Sequence, residues 1–324
     1  MKAIKIANYG DASVLKLSNT EPDPRPGDGQ VVVKIHAAGV NFVDIYQRKG
    51  IYPHDLPYIP GLEAAGVIQQ VGKGANGFRP GDRVAYTGQI GSYSEYVAID
   101  AGKLIPLPKN LSFEEGAALP LQGMTAQYLM TEYRKLRKKD VVLIHAAAGG
   151  VGLLLVQWAK HLGAIVIGTV STQEKAAVAT EAGADHVILY TTQDFVAETK
   201  RITGGHGADL ILDGVGKSTF NGNLEAAAMQ GHVVIFGSAS GPADPISPNA
   251  LMPKALSVSG GTLFYFAATH KDIACRSQEV LNGIAKHWLK LRIDHVLPLA
   301  AADEAHRLLE SRRSMGKIIL KVAD

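Results

Sequence analysis

Hydrophobic and polar positions follow two different rhythms along this 324-residue chain. In roughly the first 120 residues the apolar positions come in short runs punctuated by Gly and Pro: VVVKIHAAGV, LEAAGVIQQVG, RPGDRVAY and SYSEYVAI. That spacing predicts short strands that close into a small, partly open barrel. The stretch NFVDIYQRKG, directly after the first run, reads as a helix. In Arg79-Pro80-Gly81-Asp82 proline sets φ and glycine supplies a positive φ, which predicts a tight turn between two strands. Ser112, followed three residues on by Glu115, is a capping-box helix start.

From about residue 125 the rhythm changes. Apolar runs of strand length (VVLIH, AIVIGTV, HVILY, ADLILD, HVVIFG) alternate with helical stretches such as QEKAAVATEAG and DFVAETKRITG. Alternation of this kind predicts a parallel sheet with right-handed crossovers. ALSVSGGTLFYF reads as a sixth strand and its exit. A long amphipathic helix over about Ile273 to Leu291, the strand HVLPL, a helix through Asp303 to Ser311 and the strand GKIILKV follow. This tail breaks the alternation, so it is expected to return to the first domain.

Between VVLIH and the amphipathic run VGLLLVQWAKHLGA lies AAAGGVG, Ala146 to Gly152. Ala147, Gly149 and Gly152 fall at the spacing i, i+2, i+5, where small residues allow a tight turn, close phosphate approach and helix–strand packing. The backbone of Ala148, Gly149, Gly150, Val151 and Gly152 is therefore expected to hold a dinucleotide pyrophosphate at a helix N-terminus. The next strand ends at Val170 and Ser171, where an NAD site places a carboxylate for the ribose; no acid stands there. Ser171 can donate to a 2′-phosphate and Lys175 can neutralise it, which predicts NADPH. The other reading of the pair is a helix cap before Gln173 with Lys175 solvated.

Composition narrows the class without changing it. A chain that is 46% hydrophobic and 19% charged, with 35 glycines, is a globular α/β protein long enough for two cores. A net charge of +3 does not argue for nucleic acid or membrane, and the cluster Arg134, Lys135, Arg137, Lys138, Lys139 reads as a solvated helix end. No RNA partner is expected. A single Cys275 excludes an intrachain disulfide. No apolar run approaches the ~20 residues of a membrane span, and MKAIKIANYG lacks a signal-peptide core, so a cytoplasmic protein is expected.

Over essentially its full length the chain resembles the zinc-free quinone oxidoreductases, the zeta-crystallin branch of the medium-chain dehydrogenase/reductase superfamily. The resemblance rests on Asp140, Leu143, Ala147, Ala148, Gly149, Gly150, Gly152, Gln157 and Lys160, on GVNFVDIYQRKGIYP and on GSYSEYV. It departs at Lys139, where the branch usually has glycine. It implies an α/β fold: a GroES-like barrel in residues 1–124, a Rossmann NADPH-binding domain in 125–265, and a return to the catalytic domain in 266–324. An active-site cleft between the domains and a homodimer through the edge strand Ala255 to Gly261 are also implied. Zinc-dependent relatives need a Cys where Asn41 stands and a His where Leu62 stands in Gly61-Leu62-Glu63, and their structural zinc needs four cysteines. Soft ligands are thus missing at both sites, which implies zinc-independent reduction.

By the same resemblance Asn41, Asp44, Tyr46 and Tyr52 line the cleft, with Gln122 at the crossing between domains. Asn41 is suited to a carbonyl or ribose hydroxyl, and the tyrosines to a flat ring and a proton. The alternative is that Asn41 caps the helix, Asp44 completes a capping box and the tyrosines sit half-buried at a domain edge. Several relatives carry Lys where Gln122 stands, so a cationic oxyanion stabiliser is missing there. Thr125, Tyr128, Tyr190, Gly216, Phe236, Gly237, Ser238, Phe264, Phe266 and Lys317 are expected around the cofactor, with core packing the alternative for the aromatics and a strand-edge charge for Lys317. Asp213 is expected at the carboxyl end of its strand, beside the ligand or as a helix cap. The implied activity is NADPH-dependent quinone reduction, by hydride or one-electron steps. The alternatives are reduction of α,β-unsaturated aldehydes, ketones or acyl thioesters, and an RNA-binding or structural crystallin-like role.

Overall fold

The computed structural model describes residues 1–323. In chain order the strands and helices begin with β1 (Ala3–Lys5), β2 (Lys16–Ser18), β3 (Gln30–Val40), α1 (Phe42–Arg48), β4 (Glu63–Val71), β5 (Arg83–Thr87), β6 (Tyr96–Asp100), β7 (Leu104–Pro106), α2 (Phe113–Ala118) and α3 (Pro120–Thr131). Then come β8 (Val141–Ile144), α4 (Gly150–His161), β9 (Ile165–Val170), α5 (Gln173–Glu181), β10 (His186–Leu189), α6 (Phe195–Ile202), β11 (Ala208–Asp213), α7 (Phe220–Ala226), β12 (Ala227–Ile235) and β13 (Ser257–Gly260). The remainder is α8 (Leu263–Phe266), α9 (His270–Ala285), β14 (Ile293–Pro298), α10 (Ala302–Glu310) and β15 (Lys317–Lys321).

Two compact units result. The first holds Met1–Gly123, Ala267–Gln278 and the chain from Leu291 onward; the second holds Met124–Phe266 and Glu279–Lys290. In the first, a seven-stranded sheet runs β14-β15-β3-β4-β5-β7, with β6 on the other side of β3. The eleven-residue β3 is its backbone, antiparallel to β4, β6 and β15. Inward-facing Val31, Val33, Ile35, Ile68, Val84, Ile99, Ile318 and Leu320 fill one continuous core. The Ser112/Glu115 capping box is present, with Glu115 N–H donating to Ser112 Oγ at 3.1 Å and Ser112 N–H to Glu115 Oε2 at 2.7 Å. Gly81 has φ +94°, as the Pro-Gly turn requires.

In the second unit, six parallel strands lie in the order β10-β9-β8-β11-β12-β13. This is the doubly wound arrangement, whose strand order reverses between β8 and β11. Strands buried on both faces read as continuous apolar runs, and Val141–Ile144 and Ala208–Asp213 are buried throughout. One boundary differs from the expected tail. Residues 279–290 belong with the second unit rather than returning to the first. Trp288 explains why: it meets Trp158 edge-on at 5.1 Å and stacks on His161 at 4.1 Å, while Lys290 N–H donates to Gln157 Oε1 at 2.7 Å. Ala255 has φ +51° and ends a 3₁₀ turn, so the edge strand begins at Ser257 rather than Ala255. No helix of the described residues is long and apolar enough to cross a membrane.

Candidate active site

The second unit offers an anion cradle. Ala146 adopts φ +51° after β8, and Ala147 and Ala148 are buried, turning the chain into α4 at the N-cap Gly149. The amides of Gly150, Val151 and Gly152 occupy the first turn, where a helix supplies no acceptor of its own. A Cβ on Gly152 would lie 2.3 Å from the Ala146 carbonyl oxygen, so the turn closes against the helix only with glycine there. These residues fit a pyrophosphate by backbone donors and helix dipole.

At the end of β9, Thr172 rather than Ser171 is the cap of α5, accepting from Lys175 N–H at 3.3 Å. Ser171 and Lys175 are both half-buried. Tyr190 N–H donates to the Val170 carbonyl at 3.1 Å and its ring is largely exposed. Asp213 is an anchor. Its carboxylate accepts from Val215 N–H (2.7 Å), Gly216 N–H (3.0 Å), Thr219 Oγ1 (2.7 Å) and Asn223 Nδ2 (2.7 Å). Those bonds hold Gly216 at φ +88°, with Ser238 against it. Phe236, Gly237 and Ser238 are half-buried, Thr125 is buried, and Phe264 is exposed.

Two expected cofactor contacts are placed differently. Tyr128 is buried and its ring stacks flat on the half-buried Phe266 at 4.4 Å, so the Tyr128 ring is held in packing rather than turned to a ligand. Lys317 is 1% exposed and does not reach outward as a free charge. Its ammonium donates to Asn41 Oδ1 at 2.7 Å and Glu63 Oε2 at 2.5 Å.

The first unit therefore holds a buried polar cluster around Glu63, which has no exposed surface. Besides Lys317, Asn41 Nδ2 donates to Glu63 Oε2 at 2.9 Å and Leu121 N–H to Oε1 at 2.5 Å. Asn41 caps α1, and its own N–H donates to Asp44 Oδ2 at 2.8 Å. Asp44 is fully buried, and burial pushes its carboxyl up to about 7. It touches Asn41 and Tyr93 rather than an open surface, which makes it a positioning group and not one that meets substrate. Beside it, Tyr46 packs edge-on against Tyr52 at 5.6 Å and against Phe42 at 6.3 Å; Tyr52 is 51% exposed and Gln122 half-buried. Glu63, Tyr93, Arg48 and His306 were not singled out as site residues from sequence, although Arg48, Glu63 and Tyr93 lie in the segments GVNFVDIYQRKGIYP, Gly61-Leu62-Glu63 and GSYSEYV; His306 carried no such signal.

Zinc would need to draw on Asn41 and Glu63, with Leu62 offering no ligand atom. The same two oxygens are already bonded to an ammonium, and amide plus carboxylate is a hard donor pair. These residues do not fit the metal.

Comparison with known proteins places the chain in a family. Residues 27–109 match the alcohol dehydrogenase GroES-like domain and residues 150–278 the zinc-binding dehydrogenase domain. The chain is 39% identical over 322 residues to a quinone oxidoreductase of Pseudomonas aeruginosa, covering 98% of this chain and 99% of that one. It is 40% identical over 305 residues to a 2-haloacrylate reductase of a Burkholderia species, covering 91% of each. Among solved structures, the Escherichia coli quinone oxidoreductase complexed with NADPH superposes with a TM-score of 0.96 at 37% identity, covering 99% of this chain and 100% of that one.

Proposed function

Since the chain belongs to the quinone oxidoreductase branch of the medium-chain dehydrogenase/reductase superfamily, we propose that it reduces quinones with NADPH, without zinc. The observation that carries the reading is Lys317, whose ammonium bonds Asn41 and Glu63. A Lewis acid that holds the alkoxide assists alcohol oxidation, whereas an electron-poor acceptor takes electrons with far less help.

NADPH supplies the reducing equivalents when bound; the chain's residues bind, orient and exclude water. Backbone amides from Ala148 through Gly152 take the pyrophosphate, with Ser171 and Lys175 on the 2′-phosphate and Tyr190 along the adenosine. Gly216 and Phe236 to Ser238, fixed by the Asp213 anchor, flank the nicotinamide, with Thr125 and Phe264 beside it. Tyr46 and Tyr52 offer ring faces to a flat acceptor and a phenolic proton to its reduced oxygen. Asn41, at the start of α1, orients a ribose or acceptor hydroxyl by its amide. Gln122 orients by its amide and supplies no charge.

A second reading has one specific support, the 40%-identical 2-haloacrylate reductase: reduction of an activated carbon–carbon double bond. Purified protein with NADPH, offered an ortho-quinone, an enone and a 2-haloacrylate in parallel, separates the two. Turnover confined to the alkenes would refute quinone reduction.

The dimer is part of the same proposal. β13 is the last strand of its sheet, and antiparallel pairing with a second copy would complete its open edge. Tyr265, 85% exposed just beyond it, would be covered. Sedimentation of the protein and of a Val258→Pro variant tests this; an unchanged dimer in the variant opposes it. We place the enzyme in the cytoplasm.

A further inference from the structure

In the first unit Arg48, His306, Tyr93 and Asp44 form an unbroken buried series that binding and electron transfer leave unused. Its direction follows from elementary chemistry. A guanidinium has only donors, so its 3.1 Å contact with His306 Nδ1 makes that nitrogen an acceptor. A neutral ring then carries its hydrogen on Nε2 and donates it over 3.1 Å to Tyr93 Oη. The Tyr93 hydroxyl in turn donates over 3.1 Å to Asp44 Oδ2, which also accepts Asn41 N–H. Reversing either contact of His306 would force two hydrogens between Arg48 and Nδ1, and reversing the last link would leave the buried Tyr93 hydroxyl hydrogen without an acceptor. Arg48 is itself pinned, by Glu310 at 3.0 Å to each carboxylate oxygen and by the Gly10 carbonyl at 3.1 Å.

The series ends where β3 becomes α1, at the turn that presents Asn41 and, one step on, Tyr46. We propose that Arg48 and His306 are positioning residues for the reduction: they set the polarity of a buried hydrogen-bond chain that commits Asp44 Oδ2 to accepting and so holds the Asn41–Tyr46 segment in place. This rests on the reading of the chain as an NADPH-dependent quinone reductase. One corollary concerns the proton on Asp44. With Oδ2 accepting twice, that proton resides on Oδ1, a buried atom without a hydrogen-bond partner among the described residues. Lys317 on β15 and Glu63 on β4 act on Asp44 in opposite senses, Tyr58 faces it from the loop before β4, and Asp303 and Arg48 act on His306.

Two variants separate polarity from packing. His306→Gln keeps an acceptor toward Arg48 and a donor toward Tyr93; His306→Leu keeps bulk and loses both. Steady-state NADPH-dependent quinone reduction should fall about tenfold or more in kcat for His306→Leu, with NADPH affinity by calorimetry unchanged. His306→Gln should restore kcat to within about threefold of wild type. Equal losses in the two variants, or none in a folded His306→Leu, would overturn the proposal. Histidine ¹⁵N NMR, assigned by His306→Gln, needs no substrate and covers the case in which the leucine variant does not fold. A neutral Nε2–H ring across about pH 5 to 8 is expected, and an imidazolium or an Nδ1–H ring would sink the chain as drawn. If wild type binds NADPH but reduces no quinone, the functional reading fails while the NMR result still decides the polarity.

Discussion

Replacing His306 by Gln should add a pH dependence of stability that the intact Asp44–His306 pair does not contribute. Burial pushes Asp44 up from 3.8 to about 7, and burial together with the Arg48 charge pushes His306 down from 6.5 to about 3. Between about pH 4 and 6.5 the native state therefore holds one proton on Asp44 and none on His306. Unfolded, the same pair holds its one proton on the histidine. Folding moves a proton between residues without changing their number, so the pair adds no slope in that window. Remove the histidine and only Asp44 is left. A raised carboxyl binds its proton in the folded state and not in the unfolded one, so its stabilising effect is complete below about pH 4 and fades as pH rises to about 7. The slope is one proton's worth, about 1.4 kcal/mol lost per pH unit, and depends on proton number rather than on the size of either shift. Asp44→Asn should show the mirror image. There His306 alone, with its depressed pKa, makes the protein gain about 1.4 kcal/mol per pH unit over the same window. Calorimetry at about pH 5 and about pH 6 should register each slope as a change of about 2 °C in Tm relative to wild type. Three parallel Tm profiles would refute the reasoning, because the two groups would then carry no opposed protonation in the native state.

Three other outcomes follow from the site. Lys175→Ala should weaken NADPH binding by about 10- to 100-fold and leave NADH binding unchanged, since only the phosphorylated cofactor loses a charged partner; calorimetry with both cofactors measures it. Lys317→Met should cost about 3 to 5 kcal/mol in urea unfolding, because the buried Glu63 would lose its counter-ion and keep only neutral donors. Adding Glu63→Gln should recover much of that loss. Tyr52→Ala should raise KM for a quinone about 2- to 10-fold with KM for NADPH unaltered, by removing one exposed ring face of the Tyr46–Tyr52 pair.

What could be read from sequence was what repeats locally. The parallel sheet was legible because VVLIH and ADLILD are buried on both faces and so are predominantly apolar, and the phosphate turn because Gly152 has no sterically possible substitute. The buried cluster was not legible, for a physical reason. Lys317 and Glu63 lie 254 positions apart, and Arg48 and His306 lie 258 apart; each looks locally like an ordinary strand-end or helix-face charge. Lys317 was accordingly expected to face the cofactor, whereas its charge is spent inside the first unit. That placement bears on the chemistry. An ammonium neutralises Glu63 as a divalent ion would, yet nitrogen has no vacant orbital to accept an incoming oxygen lone pair. The electrostatic half of a metal's role is retained and the Lewis-acid half is lost. Acceptors that already stabilise added electrons, quinones foremost, do not need the half that is lost.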